Sequence, residues 1–334
     1  MLPALLRCLP AIALLLAAAP AAADPMPGPP VSAPPMSDPM SDGFEGGRIP
    51  PQIWSPCRRP EGRFFIDDMM ARSGRYSAGM ALLPTPDLPP AIEAVAAPHT
   101  RSGCIDSDRD MDFMAGSDQR AELWLRETEP KGTDLWYGFS FRIDAPVAPA
   151  ADNRRLLVGQ WKQAGQYSPF LGQRFRNRKF YLTVEQDGPA RLQQCRVLVA
   201  WEDGYDFSDF PPHHSFLHDG FDGAGNKLAP DYTTDCGSDL TVDREASLPS
   251  PYGAWVDMVV HIKVDAQPDD LIEIWANGRK IVTVRGRLGY RDSGRQYFKI
   301  GPYRDPGETP VVAHLDNFGL GHSFEEVDPR RFDK

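Results

Sequence analysis

An ammonium and two phenols on one face of a strand can hold an anion and move a proton. Gln296-Tyr297-Phe298-Lys299-Ile300-Gly301-Pro302-Tyr303-Arg304 offers that set. Side chains of an extended chain alternate between faces, so Tyr297, Lys299 and Tyr303 share one while Phe298 and Ile300 point toward a core. Amphipathic side chains lying along an edge strand give the same pattern, so the stretch needs partners. Arg120-Ala121-Glu122-Leu123 sets Arg120 and Glu122 on one face, followed on that face by Trp124 and Arg126. Gln160-Trp161-Lys162 sets Gln160 and Lys162 together with Trp161 behind. The chemistry on offer is neutralisation of an acidic sugar and transfer of one of its protons.

The elements that must carry these residues read as strands. Short alternating runs broken by Gly, Pro, Asn and Asp characterise an all-β sandwich. Ala121, Leu123 and Leu125 alternate, as do Leu135, Tyr137, Phe139, Phe141 and Ile143. Val256 to Val264 buries every second residue and turns Asp257, His261 and Lys263 outward. Leu271–Ala276 and Lys280–Arg285 flank Asn277-Gly278, which accepts the positive φ angles of a type I′ hairpin. Residues 43–330 are expected to form one domain, with a long loop insert over 203–252 that holds His213, His214 and His218. Such a loop is usually functional; it is expected as a lid, and a metal held by the histidines with Asp209 or Asp219 is the alternative.

Residues 1–23 read as a secretory signal peptide: Arg7, an apolar run from Leu9 to Ala19, then Ala21-Ala22-Ala23. A Pro-rich leader, 24–42, follows and is expected to be disordered. No later run is long enough for a membrane span, so a secreted or periplasmic monomer is expected. The full chain carries a formal −10, and losing Arg7 makes it more acidic, which argues against nucleic acid as partner. The mature chain keeps Cys57, Cys104, Cys195 and Cys236, an even number that reads as disulfides in an exported protein. Cys57–Cys104 and Cys195–Cys236 close the shorter loops.

The three polar stretches, taken in order, resemble the jelly-roll polysaccharide lyases of the alginate lyase, heparin lyase I and glucuronan lyase type. Those enzymes carry an Arg-x-Glu-Leu strand, a Gln-x-His strand and a Tyr-Phe-Lys-x-Gly-x-Tyr strand. Asp42-Gly43-Phe44-Glu45 and Leu315-Asp316-Asn317-Phe318 look like the paired terminal strands of such sandwiches. The resemblance implies a concanavalin-like β-jelly-roll of two antiparallel sheets and β-elimination on a uronic-acid polysaccharide. It implies that Arg120 and Gln160 hold the carboxylate and that Tyr303 is the acid, and also the base if both steps occur on one face. A base role needs cations that favour the phenolate, which Arg120, Lys162 and Lys299 could supply. Glu122, Arg126, Tyr297, Lys299 and Arg176 are expected around the substrate. Arg176 belongs to a basic run, Arg174, Arg176, Arg178 and Lys179, that is either a polyanion guide or a solvated loop.

Lys162 departs from the family histidine. It neutralises the carboxylate while Tyr303 handles both protons, or acts as a base itself, or marks a chain that binds without catalysis. Trp124, Trp136, Tyr167, Tyr181 and Trp201 are candidates for stacking on sugar rings. No cofactor is required for the chemistry; a structural calcium at Glu45 and Asp316 is expected, with backbone carbonyls completing its shell. The other classes are a non-catalytic lectin-like module for acidic glycans and a glycoside hydrolase. The latter needs two carboxylates flanking the scissile bond, and Glu122 is the lone groove-side acid in the sequence pattern.

Overall fold

The structure, a computed structural model, describes residues 39–83, 118–144, 155–165, 167–207, 215–231 and 236–333. The signal peptide, most of the leader, Cys104, Asp209, His213 and His214 lie outside the described residues. Apolar alternation produces eighteen strands among those described. The first nine are β1 (Met40–Asp42), β2 (Trp54–Arg58), β3 (Gly62–Asp67), β4 (Ser77–Leu82), β5 (Gln119–Leu125), β6 (Glu129–Pro130), β7 (Leu135–Ile143), β8 (Leu156–Gln163) and β9 (Leu171–Arg176). The rest are β10 (Lys179–Asp187), β11 (Gln194–Trp201), β12 (Ser215–His218), β13 (Thr241–Arg244), β14 (Val256–Lys263), β15 (Leu271–Ala276), β16 (Arg279–Arg285), β17 (Arg295–Arg304) and β18 (Val311–Gly321).

They pair into two antiparallel sheets, the all-β sandwich the alternation predicts. One runs β13-β16-β15-β14-β7-β18-β4-β3 with β1 on β18; the other runs β12-β11-β10-β9-β8-β17-β5-β2 with β6 on β17. The inward residues meet in one core. Leu135, Tyr137, Phe139, Phe141 and Ile143 face Leu123, Trp161, Phe298 and Ile300 across it. Phe298 packs at 4.8 Å from Trp161 and 5.5 Å from Phe139. Asn277 and Gly278 hold φ of 50° and 76°, as the hairpin requires.

Three expectations change. β1 lies inside the expected leader, where Asp42 pairs with Phe318 of β18, so the terminal strands meet as the motifs suggest and the last residues of the leader belong to the first sheet. The insert contains two strands, β12 and β13, which extend the two sheets at their edges. The basic run is not a loop: Arg174 and Arg176 belong to β9, and the hairpin turns at Asn177 and Arg178, both with positive φ.

Candidate active site

The outer face of the second sheet brings the polar stretches together. Antiparallel register sets Arg120 beside Tyr303, Lys299 beside Gln160 and Tyr297 beside Lys162. All six side chains point away from the core that takes Ala121, Leu123, Trp161, Phe298 and Ile300. Arg120, Gln160 and Lys299 are each 2 % exposed and Lys162 7 %, so this face is recessed from solvent. Gly301 makes the local geometry possible. Its φ of 130° marks an irregularity in β17 between Ile300 and Tyr303, and a Cβ there would meet the Ala121 carbonyl oxygen at 2.1 Å.

Glu122 organises the cations rather than the substrate. Its Oε1 accepts from Gln160 Nε2 at 2.5 Å, and its Oε2 lies 3.5 Å from Lys299 Nζ and 3.6 Å from Arg120 Nη1. Arg120 Nε also donates to Asp118 Oδ2 at 2.9 Å, and Asp118 meets Arg59. Lys299 Nζ sits 4.4 Å from the centre of Trp124, whose ring packs against Tyr297. Glu122, expected near the substrate, is a fully buried carboxylate met by two cations and an amide, which balance its charge.

Tyr303 is half-buried between two guanidinia. Arg120 lies 4.7 Å from the ring centre and Arg155 4.5 Å. Burial pushes the phenol pKa up; Arg155 and Arg120 pull it back, Asp118 and Glu122 add to the rise, and the net shift is upward. The cations therefore do not outweigh burial, and the balance favours the neutral phenol. Arg155 escaped the sequence reading. Asp305 fixes it, with Arg155 Nη2 at 2.7 Å from Oδ1 and the Arg155 backbone N–H donating to Oδ2 at 3.0 Å.

A second ion network lies on the same face, toward β12. Arg174 Nη2 and Arg196 Nε reach Glu185 Oε1 at 2.9 and 2.7 Å, and His218 Nε2 reaches Oε2 at 2.9 Å. Burial opposes the charge on Glu185, but Arg196, His218 and Arg174 together bring its pKa down to about 2. His218 places its other ring nitrogen on Asp219 at 3.0 Å, so it joins this network; the other histidines of the alternative metal reading lie outside the described residues.

Other expected positions separate. Arg126 is exposed and caps the Pro51 and Trp54 carbonyls, away from Tyr303. Arg176 stands at the end of β9 opposite Lys179. Trp136 is on the other sheet, stacked on His261 at 4.0 Å, and Tyr167 stacks on Tyr290 at 4.2 Å. Tyr181 and Trp201 stand on the candidate face in register with each other. Cys195 and Cys236 form a disulfide; Cys57 is disulfide-bonded as well.

Glu45 and Asp316 converge on one loop. Glu45 Oε1 accepts from the Arg75 and Tyr76 backbone N–H groups, and Asp316 Oδ2 from those of Arg72 and Ser73. Ser73 Oγ donates to Asn317 Oδ1 at 2.8 Å. Burial drives Asp316 up to about 7, with the Glu45 charge adding to the rise against the backbone donors. An oxygen-only set with buried, unbalanced charge fits calcium by type. Among the described residues no three His, Cys, Asp or Glu are grouped to share an ion, so such an ion would also need Ser73, Asn317 or backbone oxygens. It would supply structure, not chemistry.

Comparison with known proteins follows the same lines. Residues 52–319 match the family model described as polysaccharide lyase. Among solved structures, an endo-β-1,4-glucuronan lyase from the fungus Trichoderma reesei is similar at 15 % identity and a TM-score of 0.51. That match covers 88 % of this chain and 98 % of the other. The cellulose-induced protein Cip1 is similar at 12 % identity and a TM-score of 0.45, covering 85 % and 97 %. The family-7 alginate lyase A1-II′ is similar at 12 % identity and a TM-score of 0.41, covering 85 % and 99 %. No curated protein matches the chain. Among the described residues no helix is long and apolar enough to cross a membrane.

Proposed function

Because the chain belongs to the polysaccharide lyase family, we propose that it cleaves a uronic-acid polysaccharide by β-elimination at the face carrying Tyr303. The observation that carries this reading is the Tyr303 ring held between Arg120 and Arg155, in one recess with Gln160, Lys162 and Lys299. The reaction removes the C5 proton beside the carboxylate, forms the C4–C5 double bond and breaks the bond from C4 to the leaving oxygen. Charge that develops on the carboxylate must meet fixed donors and cations. Arg120, Gln160 and Lys162 fill that role, and Lys299 adds positive potential.

Tyr303 gives its proton to the leaving oxygen, which its upward-shifted pKa suits. The C5 proton and the leaving group are handled on one face of the ring: the phenol first gives its proton to solvent, the phenolate facing Arg155 and Arg120 takes the C5 proton, and the phenol so re-formed gives that proton to the leaving oxygen. Asp118, Glu122 and Glu185, buried carboxylates on the face, are each bound by cations or donors. Carboxylates so bound do not suit the acid and base pair of hydrolysis. The Cys195–Cys236 disulfide and the signal-like N-terminal sequence support action outside the cytoplasm.

The test is incubation with glucuronan, alginate and glycosaminoglycans, following absorbance of the unsaturated product. Product from one of these supports the reading. Saturable binding without product identifies a lectin instead, and new reducing ends without unsaturation identify a hydrolase.

A further inference from the structure

The row of side chains that contains Tyr303 continues past the strands assigned to the chemistry. Register aligns Tyr303 with Leu157, Leu157 with Arg174, Arg174 with Tyr181 and Tyr181 with Trp201. Adjacent strands lie about 4.8 Å apart, so Tyr181 is about 14 Å and Trp201 about 19 Å from Tyr303 along this line. A single sugar ring does not span that distance, whereas an oligosaccharide does.

Aromatic rings gather at the far end, in a cluster separate from the main core. Tyr205 packs 5.2 Å from Tyr181, and Phe207 packs 5.2 Å from Tyr205 and edge-on to Trp201 at 5.3 Å. Arg244 covers one face of Trp201 at 3.9 Å. Phe207 is 37 % exposed and belongs to a short list of large apolar side chains left open among the described residues. An open phenyl at the end of a polar, recessed row adds little to folding and offers a flat apolar surface to a ligand. Between this cluster and Tyr303 stands Arg174, which shares the carboxylate of Glu185 with Arg196 of β11. A guanidinium on that line favours an anionic chain lying across the strands.

We propose that Phe207, backed by Tyr181 and Trp201, forms a distal subsite that stacks on a sugar ring of the same polyuronate chain whose reacting bond lies at Tyr303. The inference rests on that assignment of the reacting bond. It makes the protein a binder of chain interiors, with a preference for substrates long enough to reach from Tyr303 to Trp201.

Oligosaccharides of graded length, from the uronan that yields product or from alginate if none does, provide the test. In the wild type kcat/KM rises with length until the chain spans the row. Phe207→Ala lowers the ratio of kcat/KM between the longest and shortest oligosaccharides about tenfold, the factor that ~1.4 kcal/mol represents, and Phe207→Trp restores it. An unchanged ratio in Phe207→Ala overturns the subsite. Calorimetric titration of the same oligosaccharides into Tyr303→Phe protein, with and without Phe207→Ala, reads binding without turnover. If no uronan is cleaved, the lyase reading falls alone and the titration still decides. Length-dependent affinity that Phe207→Ala removes supports the subsite; affinity independent of length rejects it.

Discussion

Replacing Glu122 with glutamine separates the charge of this residue from its shape. The glutamine can still accept from Gln160 but no longer balances Arg120 and Lys299, whose nitrogens lie 3.6 and 3.5 Å from Glu122 Oε2. Removing one partner of a buried ion set costs about 3–5 kcal/mol, a large part of the roughly 5–15 kcal/mol that holds a domain folded. At roughly 2 °C per kcal/mol for a chain this size, the melting temperature falls by roughly 6–10 °C. The same change takes one negative charge from beside Lys299 and Arg120, the latter keeping Asp118, so an incoming carboxylate meets a more positive recess. Glu122→Gln therefore binds oligouronate more tightly, and by mass action saturating ligand raises its melting temperature more than the wild type's. Thermal unfolding followed by circular dichroism, with and without oligouronate, reads both effects. A variant as stable as the wild type, or one that ligand rescues less, would refute the claim that Glu122 is the counterion of the site.

Three further outcomes follow from the geometry. Arg155→Gln removes the strongest influence lowering the Tyr303 pKa, so the limb of the kcat/KM profile carried by Tyr303 moves to higher pH; a limb that stays put contradicts the stacking role. Gln173 is fully buried, with neither polar atom hydrogen-bonded. Gln173→Met is therefore more stable by about 1–3 kcal/mol, and a lower melting temperature would show that a buried partner exists. Asp316 and Asp270 are both raised by burial to about 7. The folded state then binds more protons than the unfolded state between about pH 4 and 7, and stability falls as pH rises through that window. Asp316→Asn flattens the fall. Calcium added to chelator-treated protein at neutral pH opposes it if the proposed ion binds at Glu45 and Asp316, and an unchanged melting temperature removes that ion from the account.

Alternation made the faces of β5, β7, β14 and β17 legible, because a half-buried strand writes its inside and outside into every second residue. Alternation set Arg120, Lys299 and Tyr303 on the outer faces of their strands, and the resemblance to the lyases grouped them with Gln160. What the sequence hid was long-range pairing. The basic run was open between a polyanion guide and a solvated loop, because the Arg174 partner Glu185 lies on another strand. Arg155 gave no signal, since its place over Tyr303 depends on the register of β8 against β17. β12 is only four residues long and β13 is mostly exposed, so neither shows an apolar face. The direction of the Tyr303 shift was also out of reach: residue types announced cations nearby, and only burial shows that desolvation outweighs them.

The most direct measurement compares wild type and Tyr303→Phe on the same uronan, with affinity measured alongside. Removing one hydroxyl from a half-buried ring leaves the chain folded and the polysaccharide bound. The wild type accumulates the unsaturated product while Tyr303→Phe binds and yields almost none. Equal rates from the two proteins would place the proton transfers on another residue and contradict the account.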